Sequence, residues 1–203
     1  MKHALVTGGA GFIGSELVHQ LSAEGVRVTV VDNLVNGSKN NLAGDAYSKV
    51  HLEECDIRDI TRLLPILEKV DTVFHLACLG VRHSIHAPME NHDVNATATL
   101  GLLKAAQQIG IGKFIYISSS EVYGTARTVP MTEDHTTHPQ TVYGASKLAG
   151  GCYTQAFYNT YGLNTVVVRP FNAFGPRSHH ESDSGEVIPK FMLRCMAGQP
   201  MIV

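Results

Sequence analysis

The sequence of 203 residues contains no tryptophan and only four cysteines, and it has no marked excess of charge of either sign. The cysteines are far apart and form no CxxC pair, so we expect reduced thiols and no disulfide framework. A formal net charge of -2 excludes the overall basic field that would attract nucleic acid. The apolar run near the N-terminus is too short to span a membrane, and it leads into glycines rather than a signal-peptide cleavage site. These absences predict a soluble, cytoplasmic protein that binds neither nucleic acid nor membrane.

Eleven histidines raise the question of a metal site. His83, His86 and His92 come nearest to a cluster, but their spacing matches no common ligand pattern and they flank Pro88. We therefore interpret them as polar loop residues. The sequence predicts no metal site.

Short apolar runs rich in β-branched residues alternate with longer segments of helical periodicity. Near-continuous apolar strands are typical of a parallel sheet that is covered on both faces. The alternation of strands and helices then predicts an α/β fold, a Rossmann-type doubly wound parallel sheet. The predicted strands cover residues 3–7, 26–32, 49–54, 71–77, 113–119 and 164–170, and the predicted helices cover residues 13–24, 60–69, 89–109, 142–161 and 187–197.

The segment VTGGAGFIGSEL follows the first predicted strand and opens the first helix. Its glycines Gly8, Gly11 and Gly14 would allow a tight turn and a close approach of the backbone to a pyrophosphate at the helix N-terminus. Asp32 ends the next strand, where its carboxylate can accept from a ribose hydroxyl and would repel a 2′-phosphate. The following NLVNGS contains no arginine to bind such a phosphate. The pattern therefore favours NAD over NADP as the cofactor.

Further motifs are spread in order over the whole chain: TGGAGFIG, the DN pair at Asp32, CDIRD, HLA, VNATATL, SSSEVYG, YGASK and RPFNAFGPR. With them the sequence resembles the extended short-chain dehydrogenase/reductase family, and within it the NAD-dependent nucleotide-sugar epimerase/dehydratase branch, which includes the UDP-glucose 4-epimerases. The resemblance implies a NAD-binding Rossmann domain at residues 1–170. Residues 171–203 would begin a small substrate-binding subdomain, which we expect to be truncated. The polar stretch 178–185 is predicted to be mobile, and the last residues, 199–203, resemble the start of a strand.

The resemblance also implies roles for individual residues. The implied catalytic set is Ser119, Tyr143 and Lys147. The implied cofactor contacts are Gly8, Gly11, Phe12, Ile13, Gly14, Asp32, Asn33, Asp56, Ile57, Leu76, Ala77, Asn95, Tyr143 and Lys147, with Asp56 and Ile57 bordering the adenine. The implied substrate contacts are Ser119, Ser120, Glu121, Tyr143 and Asn172. Family members commonly dimerise through two long helices, which correspond here to residues 89–109 and 141–161, so a homodimer is expected.

Tyr143 and Lys147 are four residues apart, so they share one face of a helix. Oxidation of a sugar carbon requires that its hydroxyl lose a proton, and a tyrosine with a pKa of about 10 is a poor base at neutral pH. Lys147 and the positive charge of a bound nicotinamide are expected to lower the pKa of Tyr143. We expect Tyr143 to act as base and then acid, Lys147 to tune it and anchor the ribose, and Ser119 to position the sugar.

The residues that follow Ser119 bear on the choice of reaction. The 4,6-dehydratases of this branch usually carry Asp-Glu where this sequence has Ser120 and Glu121, so the acid for dehydration is missing. The Ser-Glu pair and RPFNAFGPR resemble UDP-glucuronate decarboxylases, which use further sugar contacts from a C-terminal half. An epimerase needs only the catalytic pair and room for the keto sugar to rotate.

We therefore favour a nucleotide-sugar 4-epimerase with a UDP-sugar as the expected substrate. The alternatives are a decarboxylase or dehydratase of the same family, and a non-catalytic NAD-binding fragment or sensor. Glu121 could serve as a base or as a hydrogen-bonding strut.

Overall fold

Six strands form one sheet in the computed structural model, which describes residues 1–44, 50–179 and 186–200. The order across the sheet is β3-β2-β1-β4-β5-β6, and each neighbouring pair is parallel. The strands are β1 His3–Thr7, β2 Arg27–Asp32, β3 Val50–Glu54, β4 Thr72–His75, β5 Lys113–Ile117 and β6 Thr165–Val168. The predicted α/β fold with a doubly wound parallel sheet is confirmed.

Helices connect these strands and cover the sheet. They are α1 Phe12–Ala23, α2 Ile60–Leu67, α3 Val81–His86, α4 Pro88–His92, α5 Ala98–Ile109, α6 Val142–Tyr161 and α7 Val187–Met196. A π-helical turn, Asp93–Thr97, joins α4 to α5, and short 3₁₀ turns cover Lys39–Leu42 and Ser120–Val122. Among the described residues, no helix has the length and apolar character needed to cross a membrane.

Both faces of the sheet are buried, because successive residues of a strand point to opposite sides. On one face, Leu5 of β1 belongs to a cluster with Leu63 of α2 and Phe157 of α6. On the other face, Val6 of β1 packs in a second cluster with Val18 of α1. The near-continuous apolar strands of the sequence thus serve two separate cores.

The chain changes direction across the sheet between β1 and β4. It runs outward from β1 through β2 to β3, then returns to β4 and continues to β6. At such a switch point the loops that leave the carboxyl ends of two neighbouring strands diverge, and the crevice between them is where open α/β sheets bind ligands. The glycine-rich turn follows β1, residues 76–80 follow β4, and Ser119 follows β5, so the fold brings these segments to one edge of the sheet.

Some predicted boundaries differ from the structure. The predicted strands that correspond to β4, β5 and β6 run two residues too far at their carboxyl ends, because those residues leave the sheet to form the loops of the crevice. The prediction that His83, His86 and His92 are loop residues is wrong, since they lie on α3 and α4. The predicted helix 89–109 contains the π-helical turn.

Several predicted features extend beyond the described residues. The residues outside the described ranges are residue 49 of the predicted strand 49–54, residues 180–185 of the polar stretch and residues 201–203 of the predicted terminal strand. The division of the chain into domains at residue 170 stays a prediction.

Candidate functional site

The glycine-rich turn between β1 and α1 is tightly packed against its surroundings. Gly8 has a φ of +69°, and a Cβ there would lie 2.7 Å from a backbone nitrogen of the loop after β4. A Cβ on Gly14 would overlap the carbonyl oxygen of Gly8. Helix α1 opens with Phe12 and Ile13 after Gly11, which has no side chain to cap the helix. The first amides of α1 therefore have no capping side chain, and such a donor set fits a pyrophosphate.

Asp32 lies at the end of β2 beside this turn and is buried. One carboxylate oxygen accepts a hydrogen bond from the Ala10 N–H at 2.9 Å, and the other accepts from the Leu34 N–H at 2.8 Å. Burial raises the pKa of the Asp32 carboxyl, and these two hydrogen bonds partly offset the rise. Each oxygen keeps a further lone pair, so the carboxylate can also accept from a ribose hydroxyl.

Asn33 and Asp56 meet where β2 and β3 end. The Asn33 amide donates to Asp56 at 3.1 Å, and the Arg58 guanidinium donates to both Asp56 oxygens at 2.8 and 2.9 Å. The hydrogen bonds from Arg58 lower the pKa of Asp56 to about 2. The side chain of Ile57 is only 4% exposed and packs in the core. The polar side chains of Asn33 and Asp56 therefore meet at this edge, while the side chain of Ile57 is turned into the core.

The loop after β4 carries Leu76 and Ala77 to the glycine-rich turn. The Leu76 N–H donates to the Thr7 carbonyl at 3.1 Å, and the Ala77 N–H donates to the Thr7 hydroxyl at 3.3 Å. The backbone of Ala77 is the group that a side chain at Gly8 would strike. Both predicted cofactor contacts thus lie beside the glycines.

Helix α6 presents the proposed catalytic pair. It begins after Thr141, whose hydroxyl accepts from the Gly144 N–H at 2.9 Å, and this cap places Tyr143 and Lys147 on the first two turns. Ser119, which follows β5, is buried and lies close enough to the Tyr143 phenol to lower its pKa. The three residues of the predicted catalytic set therefore lie together at the carboxyl edge of the sheet.

Lys147 is buried with its amine over the sheet. Its Nζ donates to the carbonyl oxygen of Ile117 at 2.5 Å and lies 4.7 Å from the ring centroid of Tyr116. An ammonium group has three donors, so this contact leaves further protons for hydroxyl groups of a ligand. The arrangement fits the predicted role as a ribose anchor.

The pKa of Tyr143 differs from the expectation. Its pKa is raised to about 12, chiefly by burial and to a smaller extent by the nearby Cys78. Lys147 and Ser119 lower the pKa of Tyr143, and for Lys147 this is the predicted direction, but burial has the larger effect. The surroundings of Tyr143 thus hold its pKa above the ordinary value, and a positive charge close to the phenol would lower it.

His75, at the end of β4, forms a hydrogen-bonded chain whose protons can all be assigned. The Thr99 hydroxyl donates to the Asn95 carbonyl at 2.8 Å, so it must accept from His75 Nε2 at 2.9 Å. His75 Nδ1 then accepts from the Thr7 hydroxyl at 2.7 Å, and that hydroxyl accepts from Ala77. The neutral ring thus connects the cofactor loop to Asn95.

Acid should destabilise the protein through His75. Its pKa falls from 6.5 to about 3 because the ring is fully buried, with Lys147 adding a smaller effect. Below pH 6.5 the unfolded chain binds a proton at His75 that the folded protein excludes. The contribution of neutral His75 to the free energy of unfolding is therefore complete above pH 6.5 and is lost as the pH falls. Between pH 7.5 and 4.5 the free energy of unfolding should drop by about 3 kcal/mol from this group. Urea unfolding should show a smaller drop for His75→Gln, whereas the exposed His51→Gln should behave as wild type. An equal drop in His75→Gln and wild type would contradict this origin.

The predicted substrate contacts are less enclosed than the catalytic set. The Ser120 N–H donates to the Pro170 carbonyl at 3.0 Å, so the segment after β5 lies against the segment after β6. Glu121 and Asn172 have exposed side chains. The structure therefore brings Ser119 and Tyr143 together, whereas the side chains of Glu121 and Asn172 are exposed to solvent.

Several residues at this edge escaped the sequence reasoning. Cys78 lies near the Tyr143 phenol, and an ion pair between Arg177 and Glu16 ties RPFNAFGPR to α1. Asn91 is buried against the loop after β4. Cys78 directly follows HLA, and that position was the only signal for it in the sequence.

Comparisons with known proteins identify the family of the chain. The sequence pattern that defines the NAD dependent epimerase/dehydratase family matches residues 4–203. The chain belongs to this family. UDP-glucose 4-epimerase of Mycolicibacterium smegmatis is 36% identical over 96% of the chain and 63% of its own length. UDP-glucuronic acid decarboxylase 1 of Xenopus tropicalis is 32% identical over 100% of the chain and 48% of its own length.

A solved family member has the same fold over nearly the whole chain. The UDP-N-acetylglucosamine 4-epimerase of Methanobrevibacter ruminantium, in complex with UDP-N-acetylmuramic acid, superimposes with a TM-score of 0.92 and 38% identity over 98% of this chain and 64% of its own. The chain therefore spans less than two thirds of the length of these relatives. The family is enzymatic, and its named members carry out different reactions on nucleotide sugars.

Proposed function

We propose that this protein is a NAD-dependent nucleotide-sugar 4-epimerase that oxidises the sugar at C4 to a transient 4-keto form and returns the hydrogen to the other face. The observation that carries the proposal is the position of Tyr143. Its phenol lies beside Ser119, one helical turn from Lys147, at the sheet edge that also holds the glycine-rich turn. An alcohol oxidation needs a proton acceptor and a cofactor site at the same place.

Each residue of the set has a task in this proposal. Tyr143 takes the proton of the C4 hydroxyl during oxidation and gives it back during reduction, while Ser119 bonds the same oxygen and orients the sugar. Lys147 anchors the ribose and stabilises the phenolate. When bound, NAD would supply hydride chemistry and a positive charge near the phenol. The positive charge of bound NAD would lower the raised pKa of Tyr143 and so favour the transfer of the sugar proton to the phenolate.

The residues next to Ser119 support epimerisation over elimination. Ser120 stands where a dehydratase needs an acid, and its hydroxyl is not acidic at neutral pH. Glu121 is exposed, and we assign it no proton transfer. A decarboxylase of the same family is the second candidate, because its signature also contains the Ser-Glu pair.

NAD rather than NADP is the proposed cofactor, and Asp32 carries the preference. Asp32→Ala should weaken NAD binding by about 10- to 100-fold and NADP binding much less, because a ribose hydroxyl loses its acceptor while a 2′-phosphate loses a repelling charge. Calorimetric titration with both cofactors measures the ratio. Asp71→Ala is the matched control, since Asp71 also accepts from two backbone amides, those of Lys2 and His3, at the opposite edge of the sheet. Equal losses for NAD and NADP would count against the ribose contact.

A homodimer that pairs helices 89–109 and 141–161 belongs to the same proposal. Apolar side chains of these helices are exposed, namely Met89, Leu100, Val142, Tyr158 and Tyr161. A second copy could cover them. The four cysteines all lie in the described part of the chain and form no disulfide, which supports a reducing compartment such as the cytoplasm.

The experiment that tests the proposed function is proton NMR of the protein with NAD and a UDP-sugar. UDP-glucose, UDP-N-acetylglucosamine and UDP-glucuronate are supplied in turn, and the anomeric signals are followed over time. A new hexose signal without net NADH is the expected result. A pentose signal would favour the decarboxylase, and no change with any of the three would contradict the proposal for these sugars.

A further inference from the structure

A buried group of amides and hydroxyls connects the loop after β4 to α6, and none of its side chains has a proton-transfer role in the proposed chemistry. It comprises Asn91 on α4, Asn95 on the π-helical turn, Ser146 on α6, and the backbone of Leu79 and Gly80. The three side chains are at most 2% exposed. We refer to these five residues as the amide cluster.

The orientation of the Asn91 side chain follows from its partners. Its Nδ2 lies 3.0 Å from the Leu79 carbonyl oxygen and 3.1 Å from the Gly80 carbonyl oxygen, and carbonyl oxygens can only accept. The Asn91 oxygen therefore faces the opposite way, 3.1 Å from Asn95 Nδ2 and 3.3 Å from Ser146 Oγ. Both amide protons and the oxygen of Asn91 are thus satisfied inside the protein.

Asn95 and Ser146 extend the cluster to the catalytic helix. Asn95 accepts from the Leu79 N–H and donates to the Leu79 carbonyl, each at 2.9 Å, and its Nδ2 lies 3.2 Å from Ser146 Oγ. Ser146 donates in turn to the Tyr143 carbonyl at 2.8 Å. It also directly precedes Lys147 in the sequence. A π-helical turn is rare, and such turns are often found at functional sites.

We propose that Asn91 is a positioning residue for the Tyr143 and Lys147 pair. It holds the loop that carries Ala77 and Cys78 at a fixed separation from the first turns of α6. The distance between the cofactor loop and the Tyr143 and Lys147 pair is thereby kept constant. The inference rests on the proposed function of Tyr143 and Lys147. Truncation of Asn91 removes one of two donors to the Gly80 carbonyl, which keeps only the longer bond from the Ser84 N–H at 3.3 Å, and so loosens the connection between loop and helix.

The test compares Asn91→Ala and Ser146→Ala with wild type. Thr154→Ala is the control, because Thr154 is also fully buried on α6 and donates to a carbonyl, that of Gly150 at 2.8 Å, away from the amide cluster. Four quantities are measured: the melting temperature, the affinity for NADH, the fluorescence emission of bound NADH, and kcat and KM for the UDP-sugar that wild type turns over.

Asn91→Ala should lower kcat by about 10- to 100-fold while KM and NADH affinity stay within about threefold. The emission of bound NADH should change, because the loop beside the cofactor moves. Ser146→Ala should change the same quantities in the same direction and to a smaller extent. Thr154→Ala should lower only the melting temperature.

Wild-type kcat and wild-type NADH emission in Asn91→Ala would overturn the inference, whatever the melting temperature. If wild type binds NADH but turns over no UDP-sugar, the proposed reaction fails, and NADH emission alone decides the role of Asn91. If Asn91→Ala does not fold, Ser146→Ala decides by the same criteria. A wild-type protein that binds no NADH overturns both the inference and the proposed function.

Discussion

Tyr143→Phe is expected to lower turnover of a nucleotide sugar by about 100- to 10,000-fold while NAD affinity stays at the wild-type value. Phenylalanine keeps the aromatic ring that packs at this partly buried position, so the helix and the cofactor edge keep their shape. It removes the only group of the catalytic set that we assign to proton transfer. Single-turnover rates and calorimetric titration with NAD measure the two effects separately.

The control for this variant is Tyr153→Phe. Tyr153 lies on the same helix and packs against the core, away from Ser119 and the loop after β4. Its variant should keep wild-type turnover. Undiminished turnover in Tyr143→Phe would remove the proposed proton-transfer role, and an equal loss in both variants would point to a general weakening of α6.

Gly14→Ala should abolish measurable NAD binding and lower the free energy of unfolding by about 1–3 kcal/mol. Alanine usually stabilises a helical position by about 0.5–1 kcal/mol relative to glycine. At Gly14 the new methyl group would overlap the Gly8 carbonyl oxygen, a backbone atom that can move only if the whole turn moves. The amides that the turn directs toward a pyrophosphate would be displaced with it.

Gly101→Ala is the matched control for Gly14→Ala. Gly101 also lies within a helix, and a Cβ there would meet only the Ile60 side chain at 3.4 Å. We expect Gly101→Ala to keep NAD affinity and to be as stable as wild type or more so. Calorimetric titration and urea unfolding measure both variants. Wild-type NAD affinity in Gly14→Ala would contradict the assignment of this turn to the cofactor.

The sheet was predictable because each of its strands corresponds to a run of apolar, β-branched residues in the sequence. β1 has the predicted bounds, and β2 differs by one residue at its start. The ends of β4, β5 and β6 were less predictable, since apolar residues such as Leu76 and Ala77 continue the run after the strand has left the sheet. Helix α3 has only six residues, too few for helical periodicity to appear.

The candidate site was predictable at positions where the local geometry or chemistry admits only one type of residue. Gly8, Gly14 and Asp32 lie as their spacing indicates, at one edge of the sheet. The amide cluster was not predictable, because Asn91 and Ser146 are 55 positions apart and meet only in the folded chain. The pKa of Tyr143 depends on burial, which a motif does not report, and the predicted effect of Lys147 is outweighed by it.

The most direct test of the proposed reaction follows the hydrogen on C4 of the sugar. A UDP-sugar labelled with deuterium at C4 is incubated with the protein and NAD in ordinary water, and the product is examined by NMR and mass spectrometry. We expect the epimer to form with its deuterium still on C4, and with no NADH released. Loss of deuterium to water would contradict the account, because it would mean that the protein removes a proton from C4 and that Tyr143 does not serve an oxidation and its reversal.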